Sequence, residues 1–229
     1  MEDYKVWRYL DFTKFISLLS SKCLYMSRVD CMLDDFEGSY PSSYLNSGGE
    51  LHGMHENPLT RKKLRKHVAI NCWHRNEYES AAMWSLYLKS DEGVAIQTRV
   101  EVLVEELFEG APDGYLPTVV PVKYIDFERD TPEMGFIGAY RLKRKSFEHE
   151  NEVRAVVCKC DKDWSISGVE AIPESGISIP VDLNNLIENI FVSPTAPKWF
   201  LDLVSSSAKT YGLACKVHQS SLKSDSPLY

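Results

Sequence analysis

Long apolar runs are missing from this 229-residue chain: none approaches the roughly 18 consecutive apolar residues of a membrane-spanning helix, so no membrane partner is expected. Cysteine is sparse and unrhythmic. Cys23, Cys31, Cys72, Cys158, Cys160 and Cys215 show no paired spacing, and only Cys158-Lys159-Cys160 comes close to one. The opening Met1-Glu2-Asp3-Tyr4-Lys5 is polar and acidic, unlike a signal peptide, so the expectation is reduced thiols and a cytoplasmic location. His52, His55, Cys72 and His74 offer imidazole and thiolate groups that suit zinc. Their spacing fits no usual zinc module, and loop histidines beside two strand residues is the simpler reading, so no structural metal is expected. The phosphate-cradling G-x-x-x-x-G-K-[ST] loop, G-x-G-x-x-G, H-E-x-x-H and the G-x-S-x-G elbow are all lacking, which argues against a P-loop ATPase, a Rossmann dehydrogenase and a zincin protease. Excess positive charge is lacking too. The formal net charge is -7, which argues against a long nucleic acid as the main partner, and the run Arg61-Lys62-Lys63 with Arg65 and Lys66 reads as a solvated helix face.

What is present is an ordinary globular composition, 44% hydrophobic and 26% charged, in a chain long enough to bury a core without metal or disulfide. No repeat or linker divides it, so a single domain over 1–229 is expected. Strand patterns fall at 5–10, 23–27, 68–73, 93–98, 119–127, 152–159, 177–181, 189–193 and 214–218. Helix patterns fall at 12–21, 58–67, 79–89, 100–108 and 197–211. Asp11 or Thr13 caps the first of these, Phe12, Phe15, Ile16 and Leu19 form its apolar stripe, and Gly212 stops the last. Residues 29–53 read as loop, and 129–140 fit no single pattern. Helices and strands mix without strict β-α-β alternation. The fold class is therefore α+β, a mixed and mostly antiparallel sheet flanked by helices.

Three constellations carry chemistry. In Asp34-Asp35-Phe36-Glu37-Gly38, three carboxylates within four residues repel one another unless a cation, an arginine or a substrate donor neutralises them. In Glu79-Ser80-Ala81-Ala82-Met83-Trp84…Tyr87, helical spacing puts Glu79, Met83 and Tyr87 on one stripe and Ser80, Trp84 and Tyr87 on the next. Trp84 and Tyr87 are either core or a pocket wall, with Glu79 and Ser80 as its polar contacts. In Lys143-Arg144-Lys145…Glu150-Asn151-Glu152-Val153-Arg154, a strand would align Glu150, Glu152 and Arg154 on one face and turn Val153, Ala155 and Val157 into the core. The upstream cations, Lys145 among them, would then lower the pKa values of the carboxylates. The expectation is that Asp34, Glu37, Glu79, Tyr87 and Glu150 or Glu152 cluster in space.

The ordered motifs Phe15…Leu18-Leu19, Leu24-Tyr25, Leu33-Asp34-Asp35-Phe36-Glu37-Gly38, Glu79-Ser80…Met83-Trp84…Tyr87, Gly93-Val94-Ala95-Ile96, Phe147…Glu150…Glu152-Val153-Arg154, and Val192-Ser193-Pro194…Trp199 resemble the bacterial domain-of-unknown-function 2971 (DUF2971) family. The resemblance covers nearly the whole chain and departs at Asp35, where proline is more usual, and at Ala81, where an aromatic is common. It implies a fold neighbourhood and no reaction. Arg8 on an early strand, the helix at 12–21 and Glu150-Asn151-Glu152-Val153 on a late strand also resemble, more faintly, the ADP-ribosyltransferase superfamily, without the middle S-T-S segment. That resemblance implies NAD as substrate, with Arg8 on its phosphates or ribose, Trp84 or Tyr87 against nicotinamide, and Glu152 opposite the oxocarbenium-like centre. The leading expectation is thus a cytosolic bacterial transferase, a toxin or defence effector, acting on a small-molecule, protein or nucleic-acid acceptor. A metal-dependent nuclease or phosphodiesterase using Asp34, Asp35, Glu37 and Glu150, and a non-catalytic protein-binding module, remain open beside it.

Overall fold

A computed structural model describes residues 2–32, 34–46, 58–87, 91–133, 137–163 and 165–222; His52, His55 and Leu33, named above, lie outside them. In chain order the strands and helices begin β1 (Lys5–Asp11), α1 (Phe12–Ser21), β2 (Cys23–Arg28), α2 (Ser42–Asn46), α3 (Pro58–Leu64), β3 (Val68–Arg75), α4 (Ala81–Tyr87), β4 (Gly93–Arg99) and α5 (Val100–Gly110). They continue β5 (Tyr115–Pro121), β6 (Lys123–Ile125), β7 (Leu142–Arg144), β8 (Glu152–Lys159), β9 (Ile177–Pro180), α6 (Leu183–Leu186), β10 (Asn189–Val192), α7 (Lys198–Thr210) and β11 (Lys216–Gln219). The class is α+β, and five of the described strand pairs are antiparallel against two parallel. The chain forms two compact units: residues 1–24, 73–109 and 180–229 make the first, and 25–72 with 110–179 the second.

In the first unit β1 runs antiparallel to β4 along its whole length, from Lys5↔Arg99 to Asp11↔Gly93. β10 adds antiparallel to β4, β11 adds parallel to β10, and Trp7 pairs with His74 at the end of β3. The junction from β1 into α1 follows from one residue. The Asp11 carboxylate accepts the backbone N–H of Lys14 at 2.7 Å, capping an otherwise unsatisfied helix start. Phe15, Leu18 and Leu19 are the buried stripe of that helix, and left-handed Lys22 ends it by donating its N–H to Leu18. On α5 a buried carboxylate, Glu106, accepts the Asp182 N–H at 2.7 Å and the Asn185 side chain at 2.6 Å, which holds α6 in place. Gly212, at φ 81°, takes the left-handed position that terminates α7, as the sequence suggests.

In the second unit β5 and β8 pair antiparallel from Tyr115↔Lys159 to Pro121↔Val153, and β8 also pairs with β3. The strand read at 119–127 is two strands. Pro121 has no N–H to continue the ladder, and the N–H of Val122 turns instead to the carbonyl of Glu152 at 2.8 Å. β6 then runs parallel to β7, with Tyr124 opposite Lys143. The segment 129–140 carries a 3-10 turn at Gly138–Arg141, and the presumed loop carries the short α2. Val29, Leu64, Val68, Ile70, Tyr140, Val156 and Cys158 form a core cluster. All of β8 from Glu152 to Cys158 is buried, so this strand has no solvated face. Charged residues on such a strand persist only when paired.

Candidate functional site

The charges of the second unit are arranged as a chain. Arg154, fully buried on β8, donates from its two terminal nitrogens to both oxygens of Glu37, each at 2.7 Å. Its Nε donates to Glu152 Oε1 at 2.7 Å, and a further N–H reaches the carbonyl of Tyr140 at 2.8 Å. Lys143 Nζ donates to the other oxygen of Glu152 at 2.8 Å and to Glu150 Oε2 at 2.5 Å. Glu37, Arg154, Glu152, Lys143 and Glu150 therefore alternate in sign: three carboxylates, two cations and, with all five ionised, one negative charge in excess.

Local structure sets each member. Glu152 and Arg154 are two apart on β8 and share a face. Glu150 does not reach them by that alternation, as the strand reading had it: it ends a 3-10 turn over Lys145–Glu150, and Asn151 at φ 38° turns the chain into β8. Glu37 is delivered by a tight turn in which its N–H returns to the Asp34 carbonyl at 3.0 Å. Gly38 completes that turn at φ 69°, and a Cβ there would stand 2.9 Å from the Tyr140 ring and 3.0 Å from Val29. Gly38→Ala is expected to destabilise the fold by about 1–3 kcal/mol through overpacking, on top of the left-handed backbone, and to loosen Glu37 from Arg154. Urea denaturation of the variant checks it; a change below about 0.5 kcal/mol refutes it.

The other acidic-loop residues are neutralised separately or left in water. Asp34 accepts from Arg144 at 3.2 Å, Arg144 lies over the Phe36 ring, and Asp35 is exposed. Lys145, expected beside the carboxylates, pairs instead with Asp130 at 3.1 Å, and Lys143 is the lysine that lies beside Glu150 and Glu152. Sequence reasoning also missed Tyr124, whose hydroxyl accepts the backbone N–H of Glu152 at 2.7 Å. The one available signal for Lys143 is its place two residues before Lys145 in the same basic run. Cys72 donates its thiol to Glu152 and is pushed well above the ordinary thiol range by burial and by the Glu152 charge. A thiol held protonated against a carboxylate is a poor metal ligand, and among the described residues no group of three His, Cys, Asp or Glu could hold a metal ion. Purified protein is accordingly expected to carry no stoichiometric zinc by elemental analysis and to keep its melting temperature in a chelator; unfolding on chelation would show the opposite.

Burial works to raise the Glu152 carboxyl, but the Arg154 guanidinium and the Lys143 ammonium outweigh it and hold the group down to about 2. Glu37 goes the other way, because burial outweighs its share of Arg154. A depressed folded-state pKa contributes stability above the unfolded value that is lost as pH falls through the folded one. Glu152 is thus expected to contribute on the order of 3 kcal/mol near neutral pH, a contribution that fades between about pH 5 and about pH 2. Denaturation of wild type and Glu152→Gln across that window should show their difference shrinking; a pH-independent difference refutes the assignment.

The remaining named residues belong to the first unit. The indole N–H of Trp84 donates to Glu79 Oε2 at 3.1 Å, and Glu79 Oε1 accepts the N–H of Ser221 at 3.2 Å. α4 begins at Ala81, so Glu79 and Ser80 precede it rather than lying within it, and Ser80 Oγ accepts the Met83 N–H at 3.3 Å. Trp84 is buried, edge-on to Tyr9 at 4.9 Å in a cluster with Trp7, Met83 and Ala95, while Tyr87 is 46% exposed. The core role of Trp84 is therefore visible, and Tyr87 is the more accessible ring. Arg8 lies 6.0 Å from the centre of the Trp73 ring. Of the residues expected to cluster, Asp34, Glu37, Glu150 and Glu152 belong to the second unit and Glu79 and Tyr87 to the first.

Solved structures of Thermus sp. 2.9 DarT are similar to this chain. The complex with NAD+ aligns with a TM-score of 0.45 at 9% identity over 94% of each chain. The complex with ADP-ribosylated ssDNA aligns with a TM-score of 0.43 at 10% identity over 94% of this chain and 93% of the other. No family model and no curated protein matches the chain.

Proposed function

We propose that the chain is an ADP-ribosyltransferase-like enzyme that uses NAD+ as its substrate. The observation that carries this is the buried chain of charges in the second unit, with its formal excess of one negative charge and a Glu152 carboxyl held down to about 2. In such a transfer the bond between ribose C1′ and the nicotinamide nitrogen breaks, nicotinamide leaves with the bonding pair, and positive charge develops at the ribose carbon. A fixed carboxylate in a water-poor setting stabilises that charge without having to reorganise. The acceptor then forms the new bond to C1′ with its lone pair and gives up a proton. Glu152 is the stabilising carboxylate in this reading. Glu150, the more exposed end of the chain of charges, takes the acceptor's proton.

The metal-enzyme reading is weaker because among the described residues no group of three His, Cys, Asp or Glu is placed to hold a metal ion. An action as a toxin or defence effector is part of the same proposal. The deciding experiment incubates folded protein with NAD+, a cell lysate and single-stranded DNA, the acceptor class with which Thermus DarT is seen, and follows nicotinamide release and label transfer. Release by wild type that is reduced in Glu150→Gln supports the reading. No release by folded wild type with all acceptors present refutes it.

A further inference from the structure

The basic run spans α3 and the 3-10 turn Arg65–His67 that follows it. Arg28, Arg99, Lys143, Arg144, Lys145 and Arg154 are each ion-paired. Arg61, Lys62, Lys63, Arg65 and Lys66, five cations within six positions, have no carboxylate partner among the described residues, in a chain of net charge -7. Their platform is fixed. Leu64 is fully buried in the second unit's core, so α3 cannot roll, and Lys62, Lys63 and Lys66 are held exposed. The patch extends past the helix: the His67 ring bonds the carbonyl of Lys159 at 3.1 Å, and both Lys63 and Lys159 lie close enough to that ring to add their charge to burial in lowering its pKa. Aromatic rings interleave with the cations. The Arg61 guanidinium lies 5.3 Å from the Tyr40 ring centre, and the Lys159 ammonium 5.6 Å from that of Tyr115.

We infer that this strip, Arg61, Lys62, Lys63 and Lys66 continuing to Lys159 and Tyr115, is a binding surface for single-stranded nucleic acid. The exposed lysines supply cations for successive phosphates, while the Arg61 guanidinium beside the Tyr40 ring offers a partner on which an unpaired base stacks. The overall charge favours a single strand over the alternatives. A duplex or an anionic bilayer would bring extended negative charge against the acidic remainder of the protein, whereas one strand can keep to a narrow strip. Such a surface replaces the expectation that the run is merely a solvated face, and it stands whether or not the chain uses NAD+.

The experiment measures fluorescence anisotropy of a labelled single-stranded oligothymidylate, without NAD+, over a range of salt concentrations. Wild type, Lys62→Gln/Lys63→Gln/Lys66→Gln and the corresponding triple glutamate variant are compared, with thermal melting to show that these exposed positions leave the fold intact. Wild type should bind with strong salt dependence, and the glutamine variant should lose about 2 units of the log–log salt slope, about 0.7 per phosphate contact removed. The glutamate variant should bind at least about tenfold more weakly at low salt. Equal affinity and slope in all three proteins, no binding by folded wild type, or binding to phosphatidylserine vesicles with none to the oligonucleotide would each overturn the inference.

Discussion

Arg154→Ala is expected to cost about 3–5 kcal/mol of folding stability, a large share of the roughly 5–15 kcal/mol that holds a typical domain. The reason is what the substitution leaves behind. All five guanidinium N–H donors are used, on Glu37, Glu152 and the carbonyl of Tyr140, within a fully buried site. Without them Glu37 and Glu152, each with a side chain only 3% exposed, would be buried carboxylates short of a partner. Their escape is to take up protons, so the variant should regain stability relative to wild type on mild acidification, the opposite of the trend given by Glu152 in the intact chain. Arg154→Lys keeps the charge but not the two-pronged geometry and should fall between. Replacing Glu37, Glu152 and Arg154 together by apolar residues of similar volume should recover most of the loss, because the penalty belongs to the broken pair and not to the missing charges. Urea denaturation of the four proteins decides it. A loss below about 1 kcal/mol for Arg154→Ala would mean that the site is wetter than its geometry shows.

This arrangement also marks where sequence reasoning stops. The class and most elements are legible because their causes are local: Asp11 caps α1 three residues ahead of its contact, Phe15, Leu18 and Leu19 form a stripe, and Gly212 ends α7. The Glu152–Arg154 alignment is legible for the same reason, since strand periodicity alone places them together. What joins them to Glu37 is a contact across 117 positions, which no spacing rule contains. The choice of Lys143 over Lys145 depends on β7 lying beside β6 and on a 3-10 turn bringing Glu150 back, both fixed by tertiary packing. Trp84 shows the limit from another side. Its helical neighbours suit a pocket wall and a core equally well, and only its edge-on contact with Tyr9 reveals the core role.

Glu152→Gln is expected to lower the rate of nicotinamide release by about a hundredfold or more, the size of effect that follows loss of an electrostatic stabiliser. The amide keeps the shape of the side chain and can still accept from Arg154 Nε, but it carries no charge to set against the ribose carbon in the transition state. Its structural cost should be modest for so buried a site, about 1–3 kcal/mol. The geometry explains why: Arg154 retains both oxygens of Glu37 and Lys143 retains Glu150, so each cation keeps a carboxylate and no buried charge is stranded. A surface pair would lose only about 0–1 kcal/mol, and Glu152 is not at the surface. Activity and stability are therefore expected to separate, with turnover collapsing while a cooperative unfolding transition remains. The control is Lys143→Gln, which removes the cation between Glu150 and Glu152 and leaves both carboxyl groups in the chain; a transferase carboxylate tolerates that change better than its own replacement by an amide. A Glu152→Gln protein that is folded and releases nicotinamide at the wild-type rate would remove Glu152 from the chemistry and leave the chain of charges as a device of the fold alone.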